Sequence, residues 1–299
     1  MYLLSHLITL TVMALICATG LVQSVPLEAR AGRPLYGITY TAKHPDGSCH
    51  NANDVLQYVK KFKSHGIMNI RTYSQECKQL TNIINAIETV DPAIKVMAAV
   101  WIAGTAGDDK EIATLVATLN SAGRDKVRRV VKGITVGNEV IFSKSISSAA
   151  LVQKIQKVKS ATASFGIPVG TVDTPNTYPS NVIDACDEIG VNIHPYFGGV
   201  TVAQAGSNMM ATYKAFVGKA KGKPLFVAET GWPTAGKTNG QSVPSVPNLQ
   251  SYVNQMRKMD IKYYYFEAQD ASWKNAGSNG VETHWGLYDA SGAPKITSF

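Results

Sequence analysis

The sequence predicts an α/β protein: a single (β/α)8 TIM barrel with its active site at the C-terminal ends of the strands. Three observations carry this. After residue 34, eight short β-rich runs alternate with amphipathic helical runs. The connections are mostly short, and that alternation implies a parallel sheet. Runs such as Val96-Met97-Ala98-Ala99-Val100 are continuously apolar, as expected of strands buried on both faces. Eight such units suit one chain of 299 residues. An open doubly wound sheet is the competing arrangement. Its phosphate loop is missing, because Thr39-Tyr40-Thr41-Ala42-Lys43 after the first strand has no GxGxxG. That absence also speaks against a nucleotide-dependent enzyme.

The elements follow in order. Strand 35–41 leads to helix 53–65, which Gly66 ends. Strand 68–73 leads to helix 77–90, stopped by Asp91-Pro92. Strand 95–102 is apolar after Lys95 and precedes helix 110–122. Strand 130–138 precedes helix 148–165, where Val152, Ile155, Val158 and Ala161 recur at helical spacing. Strand 169–173 and short helix 179–184 form the fifth unit. Strand 190–194 and helix 202–219 form the sixth, strand 224–229 and helix 248–259 the seventh. Strand 263–268 is the eighth.

Composition is that of a globular chain: 45% hydrophobic residues provide a large core, and 17% charged residues leave no signature of disorder. The net charge is +8, but the cations are scattered. Lys60-Lys61-Phe62-Lys63 reads as the exposed face of a helix, and Arg128-Arg129-Val130-Val131-Lys132 as the cap between a helix and a strand. The charge favours adsorption to an acidic wall or matrix more than nucleic-acid binding. Residues 1–24 read as a signal peptide and 25–33 as a linker or pro-segment, leaving 34–299 as the catalytic barrel. Residues 3–22 carry no Lys, Arg, Asp or Glu, and Val22-Gln23-Ser24 offers a cleavage site after Ser24. A membrane anchor is the rival reading of that run. Polar Ser5, His6, Thr9 and Thr11 and the lack of a basic flank favour the signal. The protein is therefore expected outside the cell or in a cell wall. Cysteine usage fits export: Cys17 leaves with the signal, Cys49 and Cys77 bracket one helix and suit a disulfide, and Cys186 remains as a buried thiol. No cysteine or histidine spacing suggests a metal.

Chemistry in a barrel belongs at the C-terminal strand ends. Strand four ends in Thr135-Val136-Gly137-Asn138-Glu139 and strand seven in Phe226-Val227-Ala228-Glu229. A carboxylate after an apolar run costs free energy unless it is used or paired. Two carboxylates facing across a cleft are the machinery of glycoside hydrolysis, and their gap sets retention or inversion. Sequence leaves that gap open. Tyr40, Tyr73, Trp101, Tyr178, Tyr196, Trp232 and Trp273 all fall at or just beyond predicted strand ends. Such a rim suits the apolar C–H faces of a neutral sugar. A core plug is the ordinary role of any one of these rings, and nucleic-acid binding would want interleaved Lys and Arg.

Taken together, Val136-Gly137-Asn138-Glu139, Val169-Gly170-Thr171-Val172-Asp173, Val227-Ala228-Glu229-Thr230-Gly231-Trp232-Pro233, Phe266-Glu267-Ala268 and His284-Trp285-Gly286-Leu287 resemble glycoside hydrolase family 17, in its fungal branch of wall β-1,3-glucanases and β-1,3-glucanosyltransferases. The resemblance spans residues 37–288. It implies a retaining mechanism on β-1,3-glucan, with Glu139 as general acid/base and Glu229 as nucleophile. It implies Asn138 on the sugar 2-hydroxyl, Tyr196 steadying the nucleophile, Tyr40 lining the cleft, and Arg71 holding a carboxylate. Cys49 and Cys77 match the branch's half-cystines. Tyr73, Trp101, Asp173, Asn176, Tyr178, Trp232, Glu267, Trp273 and Lys274 complete the expected substrate-binding set. Gln269 and Ala271 depart from the branch's aromatic and acid there, which puts subsite contacts in question. The expected activity is endo-β-1,3-glucan hydrolysis, with glucan transfer by the same residues as the alternative. A barrel that binds carbohydrate without catalysis is a third possibility. The expected protein is a monomer acting on β-1,3-glucan or laminarioligosaccharides, without cofactor or metal and with no nucleic-acid or membrane partner.

Overall fold

A computed structural model describes residues 32–299. The signal-peptide reading, most of the linker and Cys17 lie outside those residues. Eight parallel strands close into a barrel in the order β1 to β8. They are β1 (Ile38–Thr39), β2 (Asn69–Arg71), β3 (Lys95–Val100), β4 (Val131–Asn138), β5 (Val169–Asp173), β6 (Ile189–Asn192), β7 (Leu225–Thr230) and β8 (Tyr263–Tyr265). Ile38 pairs with both Ile70 and Tyr265, which closes the ring.

Side-chain alternation divides the core. Val96, Ala98 and Val100 of β3 join the large outer layer between strands and helices. Met97, Val172, Phe226, Ala228 and Tyr264 point inward and plug the barrel. That is the period-two logic of a strand buried on both faces.

The helices are α1 (Ala52–Ser64), α2 (Gln79–Val90), α3 (Gly107–Ala122), α4 (Arg124–Val130), α5 (Ser148–Thr162), α6 (Ser180–Ala185), α7 (Val202–Val217) and α8 (Val246–Met256). In α1, Val55, Tyr58, Val59 and Phe62 are buried while Lys60 and Lys63 face outward. A capping box of Asn51 and Asp54 starts this helix by satisfying orphan N–H groups at both positions. One element departs from expectation. Residues 124–130 form a separate helix, α4, divided from α3 at Gly123, so Arg128 and Arg129 occupy a helical last turn. Among the described residues no helix follows β8. Loops with isolated bridges, Gln269 to Tyr288 and Tyr288 to Pro294, cover that side instead.

Cys49 and Cys77 form a disulfide, and Cys186 is a buried free thiol. The bond ties the β1–α1 loop to the turn before α2, and both segments border the cleft described next.

Candidate active site

Ladder irregularities sit at the two strand ends that carry the acids. Register between β4 and β5 shifts between Thr135 and Asn138, and between β6 and β7 at Val191 and Asn192. Such irregularities re-aim side chains at barrel rims. Gly137 has φ of 77°, and a Cβ there would lie 2.9 Å from Val140. Glu139 follows in the left-handed region at φ 55°, its N–H held by Val172 O at 2.9 Å. This turn directs the Glu139 carboxylate into the barrel mouth.

The two carboxylates have different company. Glu229 is 6% exposed and Arg71 is wholly buried. Arg71 Nη1 donates to Glu229 Oε1 at 2.9 Å, and His194 Nε2 lies 3.3 Å from Glu229 Oε2. Burial alone would raise the pKa of Glu229. The His194 hydrogen bond and the Arg71 charge outweigh it and hold this carboxyl at about 2. Glu139 is half-buried and has an amide partner, Asn192 Nδ2 at 2.8 Å. Burial, reinforced by the nearby Glu229 charge, pushes it above the ordinary carboxylate range. Arg71 Nη2 donates to Asn138 Oδ1 at 2.8 Å, and Asn192 Nδ2 reaches the same oxygen at 3.3 Å. One network therefore runs from Glu229 through Arg71, Asn138 and Asn192 to Glu139.

Both acids open onto one cleft of about 1090 Å3. Tyr73, Trp101, Asn138, Trp273 and Lys274 line it with them. Trp101 is 47% and Trp273 37% exposed, so each offers a ring face to a ligand. Lys43 sits 4.7 Å over the Trp273 ring and pairs with Glu76 at 2.8 Å. Glu267 is buried beneath this wall and accepts Lys274 Nζ on both oxygens, at 2.8 and 2.9 Å. Burial raises its pKa despite that lysine. Among the described residues no group of three or more His, Cys, Asp or Glu is placed to hold a metal ion.

Six expected cleft residues lie elsewhere. Tyr40 is buried, stacks on His50 and Tyr58, and its hydroxyl meets His50 Nδ1 at 2.7 Å. Strand alternation is the reason: Thr41 faces the cleft, so Tyr40 faces the helices. Tyr178 donates to the Thr171 carbonyl at 3.0 Å and to that of Gly190, with its ring on Phe216. Tyr196 donates to Lys237 O at 2.6 Å. It does not steady Glu229; His194, two residues earlier, contacts that carboxylate. Trp232 is wholly buried, with Nε1 on Val243 O at 3.0 Å. Asp173 is spent on the loop after β4, accepting from the N–H of Ile141 at 2.9 Å and of Phe142 at 3.4 Å. Asn176 is exposed in the loop after β5 and does not line the cleft. These aromatics were core plugs with a polar handle.

Sequence reasoning missed His194, Asn192 and Glu111. Glu111 Oε2 accepts the N–H of Gln75 at 2.9 Å and of Trp101 at 3.1 Å, fixing the cleft wall. Asn192 and His194 sit at the end of strand six, where the strand-end rule that found the glutamates also applies. Glu111 lies inside a helix and gives no such signal.

Comparisons with known proteins agree with this geometry. The family model for the BtgE/BtgC glycoside hydrolase domain matches residues 37–286. A probable beta-glucosidase, btgE, of Neosartorya fischeri is 32% identical over 271 residues, covering 85% of this chain and 46% of that protein. A probable family 17 glucosidase, SCW10, of Saccharomyces cerevisiae is 30% identical, covering 84% of this chain and 64% of that protein. This chain thus spans about half the length of the first relative. Among solved structures, the glycoside hydrolase family 17 beta-1,3-glucanosyltransferase of Rhizomucor miehei superposes with a TM-score of 0.77 at 29% identity, covering 88% of this chain and 97% of that one. An active-site mutant of that enzyme, in complex with laminaritriose, gives 0.78 at 28% identity with the same coverage.

Proposed function

This chain belongs to glycoside hydrolase family 17, and from that premise we propose that it is a retaining endo-β-1,3-glucanase with Glu139 as acid/base and Glu229 as nucleophile. The observation that carries the reading is the opposite perturbation of two carboxyls in one cleft. Glu229 is held at about 2, whereas Glu139 is raised. Such a split supports an ionised nucleophile at Glu229 and a proton donor at Glu139.

In the first step Glu139 gives its proton to the glycosidic oxygen as the C1–O bond breaks. A Glu229 oxygen attacks C1 from the other face and forms the glycosyl-enzyme. Water then attacks C1, passes its proton to Glu139, and releases Glu229 as carboxylate. Trp101 and Trp273 stack sugar rings, and Asn138 donates to the 2-hydroxyl of the reacting sugar. Lys274, anchored on Glu267, keeps a third N–H for a substrate oxygen. The substrate class follows that of the Rhizomucor relative, and the first 24 residues are proposed as an export signal.

Transfer to a glucan hydroxyl instead of water is the second reading. Phe142 and Phe197 favour it. They are 57% and 51% exposed, on the loops after β4 and β6, where an acceptor chain could stack. Product profiling on laminarioligosaccharides of defined length tests both readings. Shorter products alone support hydrolysis, and products longer than the substrate establish transfer. Absence of any turnover on β-1,3-linked substrates would sink the proposal.

A further inference from the structure

At the end of the barrel opposite the glutamates, the entries of β3 and β4 and the last turn of α4 border a second, open cavity of about 500 Å3, where Arg128 and Arg129 are exposed. Lys95, Arg128, Arg129 and Lys132 line it together with residues 165–168, and no acidic side chain does. The charges of these cations are unevenly compensated. Arg129 pairs with Glu88 at 2.7 Å. Lys132 meets the Tyr36 hydroxyl, with Glu188 behind it. Lys95 Nζ donates only to carbonyls, Arg129 O at 2.8 Å and Pro92 O at 3.2 Å. Arg128 uses Nε alone, on Phe165 O at 2.9 Å. Among the described residues, its four Nη hydrogens have no protein acceptor.

Cations in the last turn of α4 have an ordinary role, offsetting the carbonyl end of the helix. That role needs neither a cavity nor the free Arg128 fork. The fork also has room made for it. Gly166 lies at φ 66°, and a Cβ there would come within 3.3 Å of Arg128 Nη2. A planar guanidinium with two free nitrogens matches two oxygens of a tetrahedral anion.

We propose that this cavity binds a phosphate ester carried on a sugar, with Arg128 as the bidentate contact and Lys95 as the second cation. The volume exceeds that of a bare oxyanion and falls in the small-ligand range of roughly 300–1000 Å3. A nucleic-acid track fits less well, because three other surface cations are already paired: Lys63 with Asp91, Lys159 with Asp187, and Lys221 with Asp184. The site is independent of the carboxylate pair and stands or falls without it.

Calorimetric titration of the whole protein with glucose 6-phosphate, inorganic phosphate and glucose tests this. The ester should bind, glucose should not, and inorganic phosphate should bind more weakly than the ester. Arg128→Gln should weaken ester binding at least about fivefold, and Arg128→Lys by less, since charge survives without the fork. Turnover of laminarin by both variants should match the parent. Lys95→Gln provides a second variant should Arg128→Gln melt early, and it should also weaken the ester. Four results overturn the proposal: no binding of the ester, equal affinity in all three variants and the parent, inorganic phosphate as tight as the ester, or tighter binding to a short DNA duplex.

Discussion

Glu229 and Glu139 share one cleft and one network, yet their surroundings push their pKa values in opposite directions. Arg71 and His194 press on Glu229, whereas the contact to Glu139 is the neutral amide of Asn192. The difference teaches that burial does not by itself choose the ionised form. Both carboxyls lose solvation, and the one given a desolvated cation is pushed toward its ionised form. The proposed division of labour between two identical side chains then depends on β2, β6 and the turn after β6, which supply Arg71, Asn192 and His194, more than on the strands that carry the acids.

The largest expected effect breaks the pair outright. Glu229→Ala should remove β-1,3-glucan turnover by a factor on the order of 10^4 or more, as loss of a covalent nucleophile does. Glu139→Ala should be comparably damaging on a natural glucan but milder on an aryl glucoside whose leaving group needs no proton. Equal losses on both substrates for both variants would remove the distinction between the two roles. Circular dichroism checks that both variants fold, and Glu229→Ala, which leaves the buried Arg71 unpaired, should melt earlier than Glu139→Ala.

How much of this was legible from sequence follows the same contrast. Apolar runs of a parallel barrel announce their strands, and a carboxylate after such a run announces itself, so Glu139 and Glu229 stood out. What surrounds them depends on which way a side chain faces. Around β1, Tyr40 and Thr41 differ by one residue, and only the closed ring shows that Thr41 owns the cleft. Trp232 and Tyr196 follow strand ends too, but each has a carbonyl to meet and neighbours to pack on, and both turned inward. Arg71 was legible as a holder of some carboxylate. That it also touches Asn138, and so joins the two acids, required coordinates.

Removing the cation comes next in size. Arg71→Met leaves Glu229 buried without its charge partner, at a cost of about 3–5 kcal/mol. The pH dependence carries the sign. Glu229 has its folded value at about 2 against an ordinary 4.5. It therefore contributes stability above pH 4.5 that is lost as pH falls through about 2, worth about 3 kcal/mol. Urea melts from pH 6 to 2 should show this loss in the parent and a flattened dependence in the variant. The acidic limb of kcat/KM should also move to higher pH. An unchanged limb would mean that Arg71 does not set the state of Glu229.

The smallest effects separate the His194 and Asn192 contacts from each other. His194→Phe removes a hydrogen bond from the ionised Glu229, so the acidic limb should rise, with kcat down about tenfold; His194→Gln, which keeps a donor, should recover part of both. Asn192→Ala acts on the other glutamate. Asn192 donates to the Glu139 carboxylate and favours its ionised form, countering burial. Without it, Glu139 should hold its proton to higher pH, and the basic limb should move upward. The two variants thus shift opposite limbs of one bell-shaped profile. If His194→Phe moved the basic limb, or Asn192→Ala the acidic one, the network would be coupling the acids too tightly for separate roles, and the profile would belong to the pair rather than to either residue.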